Sequence, residues 1–70
     1  MSDQIAITVN GQTRQAAAGL HVRALLEELG VVPDRVAVEL NRTIVRKAEW
    51  DRTVIPDGAK LEIVQFVGGG

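Results

Sequence analysis

The last five residues, Phe66-Val67-Gly68-Gly69-Gly70, carry the one group in this 70-residue sequence whose type and placement suggest covalent chemistry. A strand-like apolar run passes into three glycines, and the glycines end in a carboxylate. Glycine has no Cβ, so it brings neither side-chain bulk nor the usual limits on φ and ψ. Three extended residues span at most roughly 10 Å, at about 3.3–3.6 Å each, enough to post a carboxylate down a narrow slot in another protein. An α-carboxyl group titrates at about 3.3–3.7 and is ionised at neutral pH. A carboxylate is a poor electrophile. Converted by a partner and ATP into an acyl-adenylate, it exposes an acyl carbon to sulfur or nitrogen nucleophiles, and thiolates suit that attack. Taken alone, the same glycines fit a frayed chain end better than a device.

Other chemistries fall away on inspection. The glycines are followed by no lysine, serine or helix, so there is no phosphate loop. With no cysteine and a single histidine, His21, the chain cannot build a thiolate–metal site or a nucleophile–histidine pair. Glu27-Glu28 is most simply a solvated pair on a helix. The formal charge is −1, with basic and acidic residues interspersed and only 3% aromatic. That balance argues against a nucleic-acid or membrane-surface binder, which needs a basic patch or stacking aromatics. No run approaches the roughly 18 apolar residues of a membrane span, and the start lacks the features of a signal peptide. A cytoplasmic protein that is not itself an enzyme is expected.

The body must then position the tail. Seventy residues make one domain, which buries only about 60% of its unfolded surface, so its core must be efficient. The 46% hydrophobic content supplies an aliphatic one. Ile5, Ile7 and Val9 alternate with Ala6 and Thr8, the pattern of a half-buried strand. Asn10-Gly11 is a two-residue hairpin signal, because both central residues of a type I′ turn need positive φ. The polar stretch Gln12–Ala16 reads as the return strand at a sheet edge.

Val22, Leu25, Leu26 and Leu29 then fall at helical spacing, with His21 at the N-cap, Gly30 at the C-terminal cap and Pro33 beyond. Val36, Val38 and Leu40 alternate inward. Asn41-Arg42 suits a tight turn into Thr43–Val45. The polar run Arg46–Arg52 reads as a loop or single helical turn anchored by Trp50. Ile55-Pro56-Asp57-Gly58 has the form of a type I turn, with Pro at the second position. In the final strand, Lys60–Phe66, Leu61 and Ile63 face the core while Glu62, Val64 and Phe66 face outward and Gln65 falls on the inward side. Strands grouped around one amphipathic helix predict an α+β fold, a mixed sheet of four or five strands with the helix on one face and the first and last strands central and parallel.

The tail, together with Val36-Ala37-Val38-Glu39-Leu40-Asn41, Ile44-Val45, Trp50 and Asp57-Gly58, resembles the ThiS family of thiamine-biosynthesis sulfur carriers. These are ubiquitin-like β-grasp proteins, and the likeness covers essentially the whole chain. It implies a β-grasp domain over residues 1–67 and a flexible glycine tail over 68–70. It implies that the Gly70 carboxylate is adenylated by a ThiF-like, ATP-dependent enzyme and receives sulfur through a sulfur donor enzyme. The resulting thiocarboxylate passes sulfur to a ThiG-like thiazole synthase. No cofactor or metal is bound by the carrier itself; ATP is used by its partner. The outward face of the sheet would dock, through Val64, Phe66 and Val67 with Ala37, Glu39 and Ala6 around them, while Gly68 and Gly69 form the tether. Two positions depart from the family pattern: Arg42 stands where glycine is frequent, and Ala59 where an acidic residue is common. The small subunit of molybdopterin synthase and a ubiquitin-like modifier of lysines remain alternatives.

Overall fold

The computed structural model describes residues 3–67. Gln4–Val9 forms β1 and Gln12–Ala17 forms β2. They pair antiparallel with Val9 opposite Gln12, so Asn10-Gly11 is the whole turn, at φ 50° and 83°. This is the type I′ geometry that the Asn-Gly pair favours. The alternation along β1 buries Ile7 and Val9. Polar β2 stands at the sheet edge and buries only Ala16 deeply.

Helix α1 spans Val22–Leu29. Eight residues are too few for a stable isolated helix in water, so packing must hold it. Val22, Leu25 and Leu26 are buried beneath the sheet's inner face, with Leu29 half-buried beside them. Both ends are capped. The His21 Nδ1 accepts a hydrogen bond from the Ala24 N–H at 3.3 Å, which gives the lone histidine a structural task. Gly30 ends the helix in the left-handed region at φ 71°. The 3-10 turn Pro33–Arg35 then leads into β3, Val36–Leu40.

β3 turns through Asn41-Arg42 into β4, Thr43–Val45, with Leu40 opposite Thr43. Arg42 holds φ 71° without the help of a glycine. A second 3-10 turn, Lys47–Glu49, sets Trp50 into the core at 2% exposure. The Trp50 indole N–H donates to the Val45 carbonyl at 3.0 Å, and the Arg23 guanidinium lies 5.6 Å from the ring centre. Trp50 is therefore the core anchor its sequence context suggested.

β5 covers Lys60–Gln65, one residue shorter than expected. The sheet order is β2-β1-β5-β3-β4, with β5 parallel to β1 and antiparallel to β3. The β-grasp architecture expected from the sequence is present, with α1 on one face. The turn before β5 is displaced from its predicted position. The Ala59 N–H donates to the Pro56 carbonyl, and Gly58 lies at φ 81°. The turn thus runs Pro56–Ala59 with glycine at its third position, as type II requires. The Gly58 N–H instead donates to Ala6 at 2.7 Å, and the Asp57 carboxylate accepts from the Ala6 N–H at 2.8 Å. Long-range bonds to β1 pulled the turn one residue along.

Candidate functional site

β5 is central, so the register across it decides what surrounds the tail. Residues of β5 alternate: Leu61 and Ile63 are buried, while Glu62 and Val64 are exposed on the face opposite α1. Val64 lies directly across from Ala37, and Glu62 from Glu39. On the far side of β3, Ile44 lies across from Glu39 and is 69% exposed. Just past β5, Phe66 and Val67 are 57% and 93% exposed. The Phe66 N–H donates to the Arg35 carbonyl at 2.7 Å, which holds the chain against the start of β3 as it leaves the sheet. The structure thus brings Val64, Ala37 and Glu39 together on one face and sets Phe66 and Val67 at its end. Gly68, Gly69 and Gly70 lie outside the described residues.

Ala6 does not belong to this group. β1 meets β5 only through Thr8–Lys60 and Val9–Leu61. Ala6 therefore stands level with Gly58, to which its carbonyl is bonded, at the opposite end of β5 from Val64. The parallel register, invisible in the sequence, separates them. Two residues outside the expected docking set, Glu62 and Ile44, join the face instead. Glu62 carries the same period-two signal as Val64. Ile44 could be placed only once its pairing with Glu39 was known.

The face carries a like-charged pair. Glu39 and Glu62 are directly opposed, an arrangement that is destabilising across strands. Neither takes part in an ion pair among the described residues. Elsewhere on the surface, the Lys47 ammonium bonds the Asp34 carboxylate and holds it below the usual carboxylate range, first through the hydrogen bond and then through charge. No group of three metal-ligating side chains occurs among the described residues. None of their helices is long and apolar enough to cross a membrane. What remains is a half-apolar sheet face beside the exposed Phe66 and Val67.

The fold and this face define a ubiquitin-like β-grasp protein. Its sequence is 34% identical over 64 residues to the sulfur carrier protein ThiS of Escherichia coli, covering 91% of this chain and 97% of that one. The crystal structure of a thiamine biosynthesis protein (ThiS) from Geobacter metallireducens superposes with a TM-score of 0.81 at 36% identity. That match covers 94% of this chain and all of the other (100%). A thiazole synthase of Paramagnetospirillum magneticum is 48% identical over 64 residues, 91% of this chain but 20% of that protein's length. The profile of the ThiS family matches residues 7–70. The chain belongs to the ThiS family. Its ubiquitin-like fold matches that of the family's solved structure.

Proposed function

We propose that the chain carries sulfur as a C-terminal thiocarboxylate on Gly70 and delivers it to thiazole synthase. The reading takes Gly70 as the end of the chain. A carboxylate oxygen attacks the α-phosphorus of ATP on a ThiF-like enzyme, and pyrophosphate leaves. Sulfide-level sulfur released by a donor enzyme then attacks the acyl carbon as hydrosulfide, the C–S bond forms, and AMP departs with the original oxygen. The terminal glycine leaves that carbon unobstructed, and Gly68 and Gly69, lacking side chains, serve as a thin tether. ATP belongs to the partner's chemistry, not to this chain. Val64, Phe66, Val67, Ala37 and Glu39 form the face by which partners align the tail.

The observation that carries the reading is the family match over residues 7–70, which takes in the final glycines. It favours the thiamine pathway over molybdopterin synthesis. The match to part of a thiazole synthase supports that enzyme as the recipient. A carrier joined covalently to its acceptor meets it at high effective concentration, commonly millimolar for short flexible linkers. The test is intact mass after incubation with a ThiF-type enzyme, ATP and a sulfur source. A gain equal to replacing one oxygen by sulfur, lost when Gly70 is deleted, is expected. An unchanged mass would end the proposal. Gly69→Val should block the same gain with an unaltered fold, because the added bulk cannot enter a slot shaped for glycine.

A further inference from the structure

β5 is paired unequally along its two edges. On the β3 side the ladder runs to its end and continues through the Phe66–Arg35 bond. That bond and the Asn41–Lys60 bond assign the even-numbered residues of β5 to the β3 side. The odd-numbered residues therefore turn their N–H and C=O groups toward β1. There Leu61 meets the Asn10 N–H, after which β1 has already turned away. The Asn10 side chain replaces the missing strand for one more residue: its Oδ1 accepts from the Ile63 N–H at 2.7 Å, and its Nδ2 donates to the Ile63 carbonyl at 3.1 Å. Gln65 comes next. Its N–H and C=O face the same side, and no partner meets them among the described residues.

Beside this open stretch lies a cleft of about 400 Å³ between the first hairpin, the end of α1 and β5. Val9, Leu29, Val31 and Ile63 supply apolar walls, and Gln12 and Gln65 line it with polar groups. The inward phase of Gln65, which placed a polar side chain where a core residue would be expected, is thus the phase of a cleft wall. An open edge with a side-chain pocket beside it is the arrangement used for strand addition. Main-chain bonds there give affinity, and pockets for alternate side chains give selectivity.

We infer that the free edge of β5 at Gln65 receives an extended segment of thiazole synthase as an added strand, with one apolar side chain of that segment seated in the cleft. The inference rests on the proposed carrier reading for the identity of the partner, and on main-chain geometry for the mode of binding. An added strand that meets Gln65 reaches Val67 next, so docking would straighten and hold the residues that lead into the glycines. The sheet face carrying Val64 would stay a separate surface, because the added strand extends the sheet sideways.

Amide hydrogen exchange of the isotopically labelled protein, without ATP or activation, tests this directly. It is measured alone and with the thiazole synthase of the organism that supplies this chain. The Gln65 and Val67 amides should exchange at least about tenfold more slowly in the complex, as expected for new main-chain hydrogen bonds. Phe66, already bonded to Arg35, serves as the internal reference. Gln65→Pro removes only an unpartnered N–H and should weaken binding about tenfold with an unchanged circular dichroism spectrum. Gln65→Ala keeps that N–H and should bind within about twofold, the scale of a minor surface change. A complex in which both amides exchange as in the free protein would overturn the inference. So would equal losses from Gln65→Pro and Gln65→Ala, or the absence of any complex. Thiocarboxylate formation is read separately by mass and would survive each of those results.

Discussion

The two hairpin turns of this molecule do the same job with different residues. Asn10-Gly11 and Asn41-Arg42 both adopt positive φ at two successive positions, and each sits beside β5 on opposite sides. In each, the asparagine side chain reaches the central strand. Asn10 binds both polar groups of Ile63, whereas Asn41 accepts one bond from the Lys60 N–H at 2.9 Å. Asparagine tolerates the left-handed region and uses its short amide locally. The second position differs more sharply, because Gly11 occupies that region freely and Arg42 is strained there. One turn is therefore built for rest and clamps β5 twice. The other clamps it once while holding a residue under strain.

Substitutions should expose that asymmetry. Asn10→Ala leaves two main-chain groups of a partly buried strand without partners, and should cost about 2–3 kcal/mol in urea denaturation. Asn41→Ala removes one exposed bond and should cost about 1 kcal/mol. If the two losses were equal, the second bond from Asn10 would contribute nothing. Exchanging the second positions gives opposite signs. Gly11→Arg should destabilise and Arg42→Gly stabilise by about 1 kcal/mol each or slightly less, since an L-residue gives up roughly that much in the left-handed region. Destabilisation by Arg42→Gly would mean that the Arg42 side chain makes a contribution larger than its strain.

The smallest effect lies away from both turns. Lys47 lowers the titration of Asp34, so that pair stabilises the fold above the ordinary aspartate range and ceases to do so as pH falls through it. Asp34→Asn should therefore lower the melting temperature slightly at pH 7. The difference should shrink as pH falls below the ordinary aspartate range and vanish once the lowered Asp34 carboxyl is itself protonated.

Local pattern made most of the scaffold legible. The alternation of Ile5, Ile7 and Val9, the spacing of Val22, Leu25, Leu26 and Leu29, and the glycines at 11 and 30 each act within a few residues of themselves. They located the strands, the helix and its caps. The proposed docking face was half legible, because Val64 and Phe66 show their outward phase in the alternation of the last residues alone. What escaped were consequences of pairing between distant segments. The position of Ala6 depends on a parallel register with β5. The displacement of the turn at Pro56 depends on bonds to Ala6, and the clamp from Asn10 to Ile63 spans 53 positions in sequence. The opposition of Glu39 and Glu62 likewise exists only once β3 and β5 are aligned.

The placement of Trp50 has a practical consequence for anyone watching this carrier at work. It is the sole tryptophan, there is no tyrosine, and it is sealed in the core against Arg23 near the start of α1, at the other end of that helix from the cleft beside Gln65. Its fluorescence will report loss of the body's packing with little interference from other chromophores. Binding at the tail should leave that emission almost unchanged. The same protein thus offers a clean optical gauge of unfolding, while the proposed docking at Phe66 and Val67 would be optically silent. A dye or a fluorinated phenylalanine at position 66 would be needed to see the second event.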